Sequence, residues 1–132
     1  MRQTLKTLMF ALAALATGSA TFAHHSYAAT YDVTREVTLE GKIVQFVYRN
    51  PHSFVHVVAK GDNGAQERWA VEWSGTTQLG NSGVTRDTLK IGDAVVIQAR
   101  PSRVQGEFRA LMLKLKRTSD GFTWGNPGQQ VD

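Results

Sequence analysis

Gln66-Glu67-Arg68-Trp69-Ala70-Val71-Glu72-Trp73 is the stretch whose reading decides the fold. Period-two alternation sends Trp69, Val71 and Trp73 to one face of a strand and Arg68, Ala70 and Glu72 to the other. Two indoles around a valine read as the inward, packed face. Upstream, the turn cluster Gly61-Asp62-Asn63-Gly64 is a hairpin signal that joins this strand to a β-prone run from Ser53 to Ala59. Asn50-Pro51 separates that run from a first strand, Val37 to Glu40 continued by Ile43 to Tyr48, with Gly41 expected as a bulge or bend. Downstream lies the single helical signal. Val84, Thr85 and Leu89 fit a hydrophobic staple around a threonine N-cap, with Asp87 in the first turn. Leu89 to Asp93 then turns into a fourth strand, Ala94 to Ala99. A fifth, Phe108 to Lys116, should set Phe108, Ala110, Met112 and Lys114 against Arg109, Leu111, Leu113 and Leu115. Three strands, a helix and two strands give the order of the OB-fold. The fold class expected is therefore all-β with one short helix, an OB-like five-stranded small barrel, although other small β barrels share these counts.

The first 23 residues read as a secretory signal peptide. Arg2 and Lys6 form a positive start, Leu8 to Thr17 is apolar, and Gly18 to Ala23 is rich in small residues. The apolar run falls short of the roughly 20 residues of a membrane span. Residues 24–124 are expected to form one OB-like domain, followed by a flexible tail over 125–132. The leader holds two of the 15 cations and none of the 11 acids, so cleavage after Ala23 lowers the formal charge from +4 to +2. Cleavage after Ala20 is the competing reading. With no cysteine, disulfides and thiolate ligands are excluded, and any metal site must use histidine, carboxylate or backbone groups. A soluble, exported, periplasmic protein is expected.

Cleavage after Ala23 would make His24 the first residue, offering its α-amine and imidazole to one cation, with His25 beside it. A nitrogen-rich set of this kind favours Cu(II). It is similar to the histidine brace of copper-dependent oxygenases and of some periplasmic copper chaperones. The bland alternative is a frayed polar terminus. His52 and His56 complete the four histidines. On a regular strand they would stand about 13 Å apart, too far to share an ion held at ~2 Å from each nitrogen. Pro51 places His52 in a turn, free to curl back toward His24. The metal set read from the sequence is His24, His25, His52 and His56, each of the last two being, singly, more simply a structural residue.

No serine lies in a nucleophile elbow, and Glu36, Glu40, Glu67, Glu72, Asp87, Asp93 and Glu107 show no spacing for paired acid/base work. A non-catalytic reading is preferred, with copper redox chemistry at a brace as the enzymatic alternative. Tyr48, Arg100, Arg103 and Arg109 are the candidate partner or ligand surface, for an envelope protein or a glycan. The low mature charge and export argue against nucleic acid, and the sequence leaves the oligomeric state open.

His24-His25-Ser26-Tyr27, Tyr31-Asp32, Asn50-Pro51-His52, Trp69 to Trp73 with Glu72, and Gly92-Asp93 together resemble an uncharacterised family of small exported bacterial proteins, a domain of unknown function. The resemblance runs from His24 to Trp124. Family members usually carry phenylalanine where Tyr27 and Tyr31 stand. It implies an exported β domain with a recurring set of histidine motifs, and no particular activity.

Overall fold

The computed structural model describes residues 26–125. Six strands, β1 (Val37–Val47), β2 (Phe54–Lys60), β3 (Gln66–Glu72), β4 (Ala94–Pro101), β5 (Arg109–Arg117) and β6 (Thr123–Trp124), form one sheet in the order β3-β2-β1-β4-β5-β6. A parallel pairing of β3 with β5 at Ala70↔Arg109, Val71↔Ala110 and Glu72↔Leu111 closes the first five into a barrel. This is the all-β small barrel expected from the strand order, with β6 an added ribbon on β5 that the sequence did not signal.

The interior follows the period-two pattern. Val55, Val57 and Ala59 on β2, Val71 with the following Trp73, and Val95, Ile97 and Ala99 on β4 are all buried, joined by Leu39 and Ile43 from β1. Long β1 reaches both sides of the barrel, pairing with β2 along one half and β4 along the other. Gly41 sits at the crossing, opposite both Ala59 and Val95. A Cβ there would lie 2.0 Å from the Val58 carbonyl oxygen, so the glycine permits close backbone approach. The irregularity in β1 comes later, between Ile43 and Gln45.

Two further sequence expectations are corrected. The first concerns β5, where a register shift opposite Gln98/Ala99 leaves Leu113 as an extra residue. A bulge of this kind switches the side-chain phase. Ala110 and Met112 point inward before it and Leu115 after it, while Leu113 and Lys114 are half-buried and Phe108 is exposed against Trp69. The second concerns the helices. The one between β3 and β4 covers Thr76–Asn81, and Thr85 to Thr88 is a single turn in which the Thr88 hydroxyl accepts the Thr85 N–H. Val84 and Leu89 are buried as anchors of that turn. A further short helix, Tyr27–Thr30, precedes the barrel. We call the two helices α1 (Tyr27–Thr30) and α2 (Thr76–Asn81). With two threonines, a glycine and an asparagine, α2 has poor intrinsic propensity. Tertiary contacts hold it: Leu79 is fully buried, and Asn50 Oδ1 accepts the Thr76 N–H at 2.8 Å and its hydroxyl at 2.9 Å.

Candidate functional site

The outer face of β3 carries a buried carboxylate. Glu72 is only 4% exposed although alternation turns it away from the core. The chain ahead of β1 covers it. Asp32 N–H donates to the Pro101 carbonyl, Arg103 N–H to the Thr30 carbonyl, and Tyr31 bridges Ser102, so α1 and Tyr31 are pinned over the end of β4. Tyr31 is thereby buried to 1%, and its hydroxyl donates to Glu72 Oε2.

Two further groups converge on the same carboxylate. Arg109, at the start of β5, donates from Nη2 to Glu72 Oε2 at 2.6 Å and from Nε to the Tyr31 hydroxyl at 2.9 Å. His52 Nδ1 lies 2.5 Å from Glu72 Oε1. The Asn50-Pro51-His52 turn aims that ring. Asn50 is fixed to the start of α2, the Asn50-Pro51 bond is cis, and the buried Ser53 hydroxyl bonds Arg49 from both sides. Tyr27 then packs on the His52 ring, with centroids 5.8 Å apart.

Burial pushes the Glu72 carboxyl up, but the hydrogen bonds from Tyr31 and Arg109, with the charges of Arg109 and His52, outweigh it and hold Glu72 below the usual glutamate range. Burial and the bond to Glu72 raise the Tyr31 hydroxyl strongly, so it stays a donor. When the His52 ring is neutral, its one proton sits on Nδ1 toward ionised Glu72, and Nε2 carries a lone pair on a ring whose side chain is 41% exposed.

Of the residues singled out in the sequence, His52 and Arg109 meet at Glu72. His56 is elsewhere, on the outer face of β2 between Gln45 and Ala70, its ring 6.5 Å from that of Phe54. Burial and then the charge of Arg68 lower its basicity. Tyr48 spends its hydroxyl on the Thr76 and Val84 carbonyls, and Arg103 donates from Nε to the Ala28 carbonyl. Arg100 is half-buried on β4, pairing with Leu111. Three of the four surface candidates, Tyr48, Arg103 and Arg109, thus bond within the chain. His24 and His25 lie outside the described residues. Glu72, Tyr31 and Tyr27 are site residues that the sequence does not single out: the two tyrosines stand out only in the family-like motifs, and Glu72 there and as one of seven acids without diagnostic spacing.

Among the described residues, no three His, Cys, Asp or Glu side chains gather into a group that could hold a metal ion, and no helix is long and apolar enough to cross a membrane. No curated protein matches the chain, and no solved structure does. A family model matches residues 11–111, from ahead of α1 into β5, and on that match the chain belongs to DUF6152, a family of unknown function.

Proposed function

We propose that this protein is an exported, periplasmic metal-binding module, with copper held by the His24 amine and imidazole together with His25 and His52. The observation that carries the reading is the His52–Glu72 pair at 2.5 Å. Metal-ligating histidines characteristically donate their other ring N–H to a carboxylate, which fixes tautomer and orientation. Here the carboxylate is buried and doubly supported by Tyr31 and Arg109, while Nε2 remains available. Proximity supports the remaining ligands. Tyr27 touches the His52 ring, and His25 and His24 precede it by two and three residues, a reach of at most about 3.6 Å per residue. His56, beside Phe54, is left out of this set.

The test is Cu(II) titration of protein purified from the periplasm, after intact mass has established a chain beginning at His24. One nitrogen-ligated copper per chain is expected by paramagnetic resonance. Glu72→Gln should weaken binding by about 10- to 100-fold with the ligand atoms unchanged. Wild-type affinity in a protein with an extra residue before His24, and again in His52→Ala, would end the proposal.

A further inference from the structure

A second feature of the barrel shares Arg109 with the Glu72 cluster but none of the proposed metal ligands. On the outer face, where β1, β2 and β3 run side by side and β5 begins, an open cleft of about 550 Å³ is lined by Val47, Arg49, Phe54, His56, Ala70 and Arg109. Two arginines and a histidine face it, and no carboxylate lines it. The Arg49 and Arg109 guanidinium carbons lie 5.8 and 5.7 Å from the centroid of the same Phe54 ring, so one aromatic side chain holds both cations at one cleft.

The donors that matter are unspent. Arg109 uses Nε on Tyr31 and one Nη2 donor on Glu72, leaving the rest of its five N–H groups. Arg49 is exposed and has no carboxylate partner among the described residues. Two guanidinium forks are suited to an oxyanion, and a carboxylate presents two oxygens to them. His56 makes no side-chain hydrogen bond among the described residues, and its lowered basicity keeps it neutral at pH 7, with one ring nitrogen to donate and one to accept. That is the complement of a hydroxyl group. Val47, Ala70 and Phe54 supply an apolar wall for carbon-bound hydrogens, and the cleft volume suits a small organic ligand rather than a bare inorganic ion.

We infer that this cleft binds a hydroxylated ring carboxylate, the chemistry of a hexuronate. Arg49 and Arg109 grip the carboxylate, His56 takes a ring hydroxyl, and the ring packs against Val47, Phe54 and Ala70. The same chemistry comes from two sources, a free sugar acid or one unit of an acidic polysaccharide, and chain length separates them.

Chemical-shift titration of the isotope-labelled full-length secreted protein, with chelator present to remove metal, reads the site directly. Galacturonate should shift the Phe54, His56 and Ala70 amides saturably, with neutral galactose binding at least about tenfold more weakly. Arg49→Ala, which removes an exposed side chain outside the Glu72 cluster, should lower galacturonate affinity about tenfold or more while the rest of the spectrum stays in place. Tetragalacturonate that binds tighter and perturbs residues beyond the cleft assigns the site to a polysaccharide unit, and equal affinity assigns it to the free acid. Galactose binding as well as galacturonate, undiminished binding by Arg49→Ala, or sulfate binding as tightly as galacturonate would each overturn the inference.

Discussion

Glu72 and Trp73 are neighbours in the chain, and both are almost completely buried, at 4% and 1% exposure. They are buried by opposite means. Trp73 points into the barrel, packed edge-on against Trp124 at 4.9 Å and beside Phe46 at 6.0 Å. Glu72 points outward and is covered by a second, polar layer of Tyr31, His52 and Arg109. The inner layer is held by area removed from water and tolerates any well-packed shape. The outer layer is held by directed bonds to one charge, and loses its reason to exist if that charge is removed. Such a layer is costly to build for stability alone, which is why its free imidazole edge carries the functional reading.

The largest expected effect falls on the inner layer. Trp73→Ala should destabilise the barrel by about 3–5 kcal/mol, measured by denaturant unfolding, because the indole is fully enclosed. A loss below about 1 kcal/mol would mean that the core closes over the gap and that the indole is not the keystone of this end of the barrel.

Glu72→Gln keeps the shape and removes the charge. Losing one partner of a fully buried ion pair costs about 3–5 kcal/mol, and because the Arg109 side chain is 38% exposed we expect about 2–3. The distinguishing readout is acid sensitivity. Glu72 is held below the ordinary glutamate range, so its contribution is complete above the unfolded value of about 4.3 and is lost as pH falls through the lower folded value. Glu72→Gln should therefore flatten that acid limb, whereas a core variant such as Trp73→Phe should keep it. An unchanged limb in Glu72→Gln would place the acid sensitivity elsewhere.

A smaller pH effect is expected from His56. Its basicity is lowered in the folded state, so the unfolded chain takes up the proton first as pH falls below about 6.5, and stability declines from there toward the folded value. His56→Gln should remove this gentle slope near neutrality and leave the acid limb of Glu72 intact. Thermal melts across pH 5–8 check it.

The same contrast marks what was legible in the sequence. Alternation alone sends Trp73, Val71 and Trp69 inward, because a strand's period is local information; Trp73 and Val71 are buried, and Trp69 is only partly buried against the core. The order of elements likewise sufficed for the barrel. The cover over Glu72 depends on Tyr31 and Arg109, 41 and 37 residues away in sequence, which no period predicts. His52 was found, since a proline turn beside a histidine is visible, but its partner was one acid among many. The helix was misplaced for a related reason. Thr76 to Asn81 has little intrinsic preference and becomes helical because Asn50 caps it and Leu79 fills the barrel end, whereas Val84 to Leu89 carries the better local signal and makes only a turn.

The smallest effect should come from the other end of β5, where Arg117 makes a cluster that resembles the Arg109 site in composition and differs in burial. Arg117 Nη2 meets Asp120 at 2.8 Å and Nη1 meets Asp93 at 3.1 Å, with a further bond to the Thr88 carbonyl at 2.5 Å. The bond from Arg117 pulls the Asp120 carboxyl down to about 2, yet that carboxylate is 54% exposed and screened by water. In Asp120→Asn, Arg117 keeps Asp93 and Thr88, and no buried charge is stranded. The thermal midpoint at neutral pH and moderate salt should match that of the native protein within measurement error, in contrast to the Glu72→Gln loss. A drop comparable to that of Glu72→Gln would mean that the number of bonds to an arginine, and not the burial of its carboxylate partner, sets the strength of these clusters, and the distinction between the two ends of β5 would fail.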